Sequence, residues 1–385
     1  MRVPTRAGTW AAPVTAQPVS HIYTLADQTV RQVVHTSAGG DRPQVRFSNE
    51  FGTHSVRIGV ARLALRAGNG ATASIVPGTG QQLTFAGRTE AVIPAGGTLL
   101  SDAAGLVVPP GADLVISVYL PEKTEVGTIT PRAFQTNQVG PGDLTEAVDL
   151  AGKPFATYVF LSGVSVRVRR STSTIVAFGD SITRGVNTVE NANHRWPDLL
   201  AARMRADNLD RGVLNAGLSG NRLLTGPIGR TGRAGNNAAV GEAGLRRFNR
   251  DVLAQPGVSH VIVLLGVNDL GLNPPATAEE LIAGHRELIA KGRAAGVTMI
   301  GGTLLPFGEY HGRLNNTVSR AKRDAFNRWV RTSGEYDAVI DFDQAVRDPA
   351  VPHRIAAAYD CGDHLHPSDA GMAAMAEAVP LELFK

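Results

Sequence analysis

Five short apolar runs, at 175–178, 213–214, 261–265, 298–304 and 338–342, alternate with stretches of helical periodicity in the second part of the chain. That alternation leaves few folds open. Strands separated by helices lie parallel, and the helices then cover both faces of one sheet. The helical signals are specific. Pro197 suits a first helical turn, after which Leu199, Leu200 and Met204 share a face. Leu245, Phe248 and Val252 recur at three- and four-residue spacing. Thr277 with Glu280 has the capping-box spacing ahead of Leu281, Leu288 and Ile289. Ser368 after Pro367 reads as the N-cap of a last helix carrying Met372, Met375 and Val379.

The first part obeys another rule. Strand-like runs at 30–34, 44–47, 56–60, 114–119 and 157–161 are punctuated by Gly, Pro and Asp, as at Gly39-Gly40-Asp41 and Pro109-Pro110-Gly111. Short strands with turn residues between them predict an antiparallel sandwich. At 385 residues the chain is too long for one ordinary core. The polar hand-over Arg169-Arg170-Ser171-Thr172-Ser173 therefore reads as a boundary. The expectation is an all-β, jelly-roll-like sandwich over 1–170 and an α/β domain over 171–385.

Composition narrows the partners. The net charge is only +4 and no dense Lys/Arg block occurs, so a nucleic-acid partner is not expected. Cys361 is the single cysteine, which excludes an intrachain disulfide and a cysteine-cluster metal site. Beside Asp363 it reads as a small half-buried thiol rather than a nucleophile. No run approaches the length of a membrane span. The start Met1-Arg2-Val3-Pro4 lacks a secretory leader, so the protein is expected to be cytoplasmic, or secreted or periplasmic with its leader removed.

In open parallel sheets ligands bind outside the carboxyl ends of the strands. Gly179-Asp180-Ser181 follows the first apolar run of the α/β part, the stretch 215–220 follows the second, and Gly266-Val267-Asn268-Asp269 follows the third. All three are expected on one rim. A serine hydroxyl there is a weak nucleophile unless a base takes its proton. Asp363-His364-Leu365-His366 supplies one: His366 as base, with Asp363 three residues earlier to orient its ring. His364 is the alternative base. Gly220 could bring a backbone N–H close to an anionic oxygen, and the Asn268 amide and the Ser181 N–H are further donors for an oxyanion. Each motif alone is also an ordinary turn.

Taken together, the four stretches resemble the SGNH (GDSL-type) hydrolases, over roughly residues 174–385. The resemblance implies a flavodoxin-like three-layer α/β/α fold, a Ser181–His366–Asp363 triad and an oxyanion hole of Ser181, Gly220 and Asn268. It implies no metal and no organic cofactor. The G-x-S-x-G elbow of other α/β-hydrolases is absent. Residues 1–165 look similar to β-sandwich modules that precede the catalytic domain in some bacterial members; such modules bind carbohydrate, shape the acyl pocket or stabilise the fold.

The expected activity is hydrolysis of carboxylic esters, with short-chain acyl groups or acetyl groups on carbohydrate foremost. Two other readings stand beside it: a non-catalytic carbohydrate- or surface-binding protein on the same scaffold, and an acyltransferase using the same acyl-enzyme. Candidates for contact with a small-molecule, lipid or carbohydrate ester are His194, Trp196, Asn221, Arg230 and Arg233, with Trp196 reading equally as a core anchor. The last two fall in a Gly-rich stretch, 226–244, that suits a rim or lid.

Overall fold

Residues 173–385 build a five-stranded, wholly parallel sheet. Its spatial order is Arg211–Gly217, Ser173–Gly179, Val258–Leu264, Thr298–Gly302, Ala338–Ile340. In chain order this is 2-1-3-4-5, the flavodoxin-like arrangement. The two central strands show why the order is legible. Ile175, Val176, Ala177 and Phe178 are fully buried, as are Val261, Ile262 and Val263. A strand with helices on both faces has no solvent side, so its sequence runs apolar without alternation.

The computed structural model describes residues 5–18, 21–169, 172–227, 238–272 and 274–385. It divides into two units, Met1–Thr172 with Glu190–Asn193, and Ser173–Val189 with His194–Lys385.

The first unit is all-β. One antiparallel sheet joins Arg6–Ala11, Leu161–Arg167, Gly40–Ser48 and Thr98–Leu100, with Val107–Val108 also on Gly40–Ser48. The other joins Lys153–Phe155, Asn137–Pro141, Gln28–His35, Asp113–Leu120, Val60–Leu65 and Gln81–Gln82. Both feed one core through alternating positions such as Val45 and Phe47, Val30 and Val34, and Ile116 and Val118. Trp10 belongs to this core and packs edge-on against Tyr158 at 4.9 Å. Arg31 is fully buried on the opposite face of the second sheet, donating to Ser117 Oγ at 3.0 Å and to the carbonyls of Leu144 at 3.0 Å and Ala147 at 2.6 Å. A cation so placed holds the covering loop down through carbonyl oxygens.

Two strand expectations change. The run 56–60 is two strands in different sheets, Val56–Ile58 and Val60–Leu65, parted at Gly59. The run 157–161 breaks at Phe160, whose φ of 54° lies in the left-handed region that no strand uses.

In the second unit the expected helices form at Trp196–Ala206, at Gly244–Phe248 continuing as a π-turn through Asn249–Leu253, at Ala278–Ala294 and at Asp369–Glu377. The Thr277–Glu280 capping box closes in both directions, at 3.1 Å and 2.8 Å. A further helix, Thr317–Thr332, is not among those expected. Among the described residues no helix is long and apolar enough to cross a membrane.

Candidate active site

Ser181 begins a single helical turn, Ser181–Arg184, directly after strand Ser173–Gly179. Asp180 caps it: its Oδ1 accepts from Ile182 N at 3.0 Å. The preceding glycine is required by space, since a Cβ at Gly179 would lie 2.7 Å from the Leu264 carbonyl and 2.2 Å from Thr183 Oγ1. Burial pushes the fully enclosed Asp180 carboxyl up to about 7.

His366 stands opposite. Its Nε2 lies 2.8 Å from Ser181 Oγ, and its Nδ1 lies 2.6 Å from Asp363 Oδ2. Asp363 is fixed from four directions. Its Oδ1 accepts from Leu365 N at 2.9 Å and His366 N at 2.8 Å, and its Oδ2 also accepts from Asn187 Nδ2 at 3.1 Å. Partial burial would raise this carboxyl, but the bonds and charge of His366 outweigh it and hold Asp363 at about 2. It is an anion at neutral pH. With Asp363 as acceptor, Nδ1 carries the ring proton, and the Nε2 lone pair faces the serine hydroxyl. Ser181 and the His366 side chain are 8% and 12% exposed, so a reacting group can reach both.

Gly220 and Asn268 follow the two neighbouring strands, Gly220 three residues past Arg211–Gly217 and Asn268 in the helical turn Val267–Leu270 after Val258–Leu264. Gly220 has φ 74°, and a Cβ there would come within 2.8 Å of Val240 Cγ1. The Asn268 amide donates one hydrogen to Asn221 O at 3.0 Å, which leaves the second for a ligand. Among the described residues neither the Ser181 N–H nor the Gly220 N–H has a protein acceptor. The strand expected to end before Asn215 continues through Gly217, so the loop proper starts at Leu218.

His364, the alternative base, turns to Asp360 instead, with Nδ1 2.6 Å from Asp360 Oδ2. Asp360, Cys361 and Asp363 offer ligand atoms within 4.8 Å of one another. Both carboxylates are engaged by their own loop, and burial pushes the Cys361 thiol up. His194 is half exposed and bonded to Asp369 at 2.6 Å. Two candidates for substrate contact are corrected. Trp196 is fully buried against Phe342, with ring centroids 5.3 Å apart, and is a core anchor. Asn221 is also fully buried: it donates to Val240 O at 2.7 Å and Glu242 O at 2.8 Å, and its Oδ1 accepts from Arg247. Arg230 and Arg233 lie outside the described residues.

The sequence reading missed Asn187, Arg247 and the anchoring role of Asp269. Asp269 Oδ2 accepts from Leu223 N at 2.7 Å and Oδ1 from Leu224 N at 3.0 Å. Burial pushes its carboxyl up to about 6. The charged and polar residues inside this rim hold backbone, a task that leaves no trace in hydrophobic periodicity.

The profile of the GDSL-like Lipase/Acylhydrolase family matches residues 177–374, just over half of the chain. The chain belongs to this family. Solved structures similar to this GDSL-like hydrolase include three esterases or lipases. An aryl esterase from M. smegmatis is 19% identical over 54% of this chain and 95% of that chain, with a TM-score of 0.42. A GDSL-like lipase from Bacteroides thetaiotaomicron VPI-5482 is 18% identical over 55% and 87%, with a TM-score of 0.40. A carbohydrate acetylesterase from Sinorhizobium meliloti is 16% identical over 54% and 95%, with a TM-score of 0.39. Comparison with curated proteins gave no match.

Proposed function

We propose that this GDSL-like hydrolase is a serine esterase that cleaves carboxylic esters through an acyl-enzyme on Ser181. The observation that carries the reading is the continuous chain Ser181 Oγ–His366 Nε2, His366 Nδ1–Asp363 Oδ2, at 2.8 Å and 2.6 Å. Ser181 Oγ attacks the ester carbonyl carbon while its proton passes to His366 Nε2. Asp363 stabilises the resulting imidazolium. The tetrahedral oxyanion accepts hydrogen bonds from Ser181 N, Gly220 N and the free Asn268 N–H. Collapse breaks the ester C–O bond, and the departing alkoxide takes the proton from His366. Water then attacks the acyl-enzyme, gives its proton to His366 and releases the acid, and Ser181 regains its hydrogen.

Asn268→Ala should lower kcat by on the order of 10²- to 10³-fold with KM little changed, the cost of losing one donor made strong only in the transition state. Steady-state kinetics on a short-chain aryl ester measure this. An unchanged kcat would remove Asn268 from the oxyanion hole.

The reading as a whole is tested with a fluorophosphonate probe followed by peptide mapping. Stoichiometric phosphonylation of Ser181 is expected, together with release of free acid from acetyl and butyryl esters. No label, or label elsewhere, would overturn the esterase. A product panel with added alcohols separates hydrolysis from acyl transfer. Short acyl groups, including acetyl groups on carbohydrate, are the proposed substrates, and a panel of chain lengths and sugar esters tests that choice.

A further inference from the structure

We propose that Arg247 is a positioning residue that holds the oxyanion donors in register; the proposal rests on the esterase reading above. Its guanidinium is fully buried and lies over the Phe178 ring, with the guanidinium carbon 4.2 Å from the centroid. Each arm of the fork reaches a different part of the rim. Nη2 donates to Gly179 O at 2.8 Å, two residues before Ser181. Nη1 donates to Ala216 O at 3.0 Å, on the strand leading to Gly220. Nε donates to Asn221 Oδ1 at 2.9 Å, one residue past Gly220. The Asn221 carbonyl in turn accepts the Asn268 amide at 3.0 Å.

One rigid group therefore bonds the backbone two residues before one donor, the strand that leads to the second, and the side chain of the residue that follows the second and accepts the third. Gly179 O also accepts from Leu218 N at 3.1 Å, so the fork closes a link between the two loops that already meet there. The charge is balanced locally by Asp251, at 3.1 Å from Nη1 and 6% exposed. A cation in a dry core is costly, and an apolar side chain would fill the same volume without that cost. What the apolar side chain lacks is a planar set of donors at fixed angles. Lysine lacks it too, since its ammonium is a single point on a flexible stem.

Arg247→Lys keeps the charge facing Asp251 and loses the fork. With sites counted by fluorophosphonate titration taken to completion, kcat per site on a short-chain aryl ester should fall about 30-fold or more, and KM should stay within about threefold. Affinity for phenylboronic acid, which forms a tetrahedral adduct at the serine, should fall in parallel. A role confined to stability predicts otherwise: a lower melting temperature and fewer titratable sites, with per-site kcat and boronate affinity within about threefold of wild type. That result would overturn the proposal. Should Arg247→Lys fail to fold, Asn221→Ser takes its place. It removes the acceptor of Nε, together with the amide donors to Val240 O and Glu242 O, and leaves the guanidinium; the same per-site loss is expected and the same near-unity ratio is fatal. A wild type that neither labels nor turns over ester would sink the esterase reading itself, whereas an active wild type with unimpaired variants sinks only the role of Arg247.

Discussion

Ser181→Ala should lower kcat for a short-chain aryl ester by on the order of 10⁵- to 10⁶-fold, leaving a residue of catalysis from the oxyanion donors alone. The loss is large because no described neighbour can substitute. Thr183, two residues further on, is fully buried, and the His366 Nε2 lone pair faces Ser181 Oγ. The fold should be unaffected. Among the described residues Ser181 Oγ bonds His366 alone, and the Asp180 cap and the turn bonds Arg184 N to Asp180 O at 2.8 Å and Gly185 N to Ser181 O at 3.0 Å are all independent of the hydroxyl. Melting temperature and near-UV circular dichroism should match wild type, and fluorophosphonate labelling should vanish. A folded variant that kept a tenth of the activity would move the nucleophile elsewhere.

The parts of this molecule legible from sequence share one property: their side chains do what their residue type usually does. Ile175 and Val263 are apolar and buried on both faces, and that reads directly as a parallel strand. Thr277 and Ser368 cap helices, as their types prefer. The failures are residues whose type conceals their place. Helix Thr317–Thr332 buries Ser319, Arg323 and Asn327 beside Phe326 and Val330. Its inner face is therefore half polar, and the apolar repeat that would announce a helix is missing. Asn327 explains one of those choices, since its amide accepts from Leu304 N and donates to Leu304 O, both at 2.8 Å, two residues past strand Thr298–Gly302. Arg247 is the same case at the rim: an arginine between Leu245 and Phe248 reads as the wet side of a helix, yet it is enclosed. Asn187 was invisible for another reason. Its φ of 71° turns the chain so that its amide meets Asp363, a contact across 176 positions that no local pattern carries. Phe160 broke an expected strand through a backbone angle that its apolar side chain gives no hint of.

Asp363→Asn should cost on the order of 10⁴-fold in kcat, although it changes one atom. The reason lies in how fully the carboxylate is used. Asp363 Oδ1 accepts the N–H groups of Leu365 and His366, and Oδ2 accepts from His366 Nδ1 and Asn187 Nδ2. In asparagine one of these positions becomes an NH₂ group. Were the NH₂ placed at the Oδ1 site, it would oppose two backbone donors and undo the turn, so the amide oxygen stays there and the NH₂ faces His366. A donor now meets Nδ1, which must become the acceptor. The ring proton then moves to Nε2, the one nitrogen that has to receive the hydrogen of Ser181. The same NH₂ also opposes the Asn187 amide, so the loop loses a bond and acquires a repulsion. Fold and substrate affinity should survive, because the two backbone bonds of the turn remain. The rate of fluorophosphonate labelling should fall in step with kcat, since both need the serine proton removed. Asp363→Asn with kcat within tenfold of wild type would mean that the carboxylate neither sets the tautomer nor stabilises the imidazolium, and the proton path from Ser181 would have to run through another base.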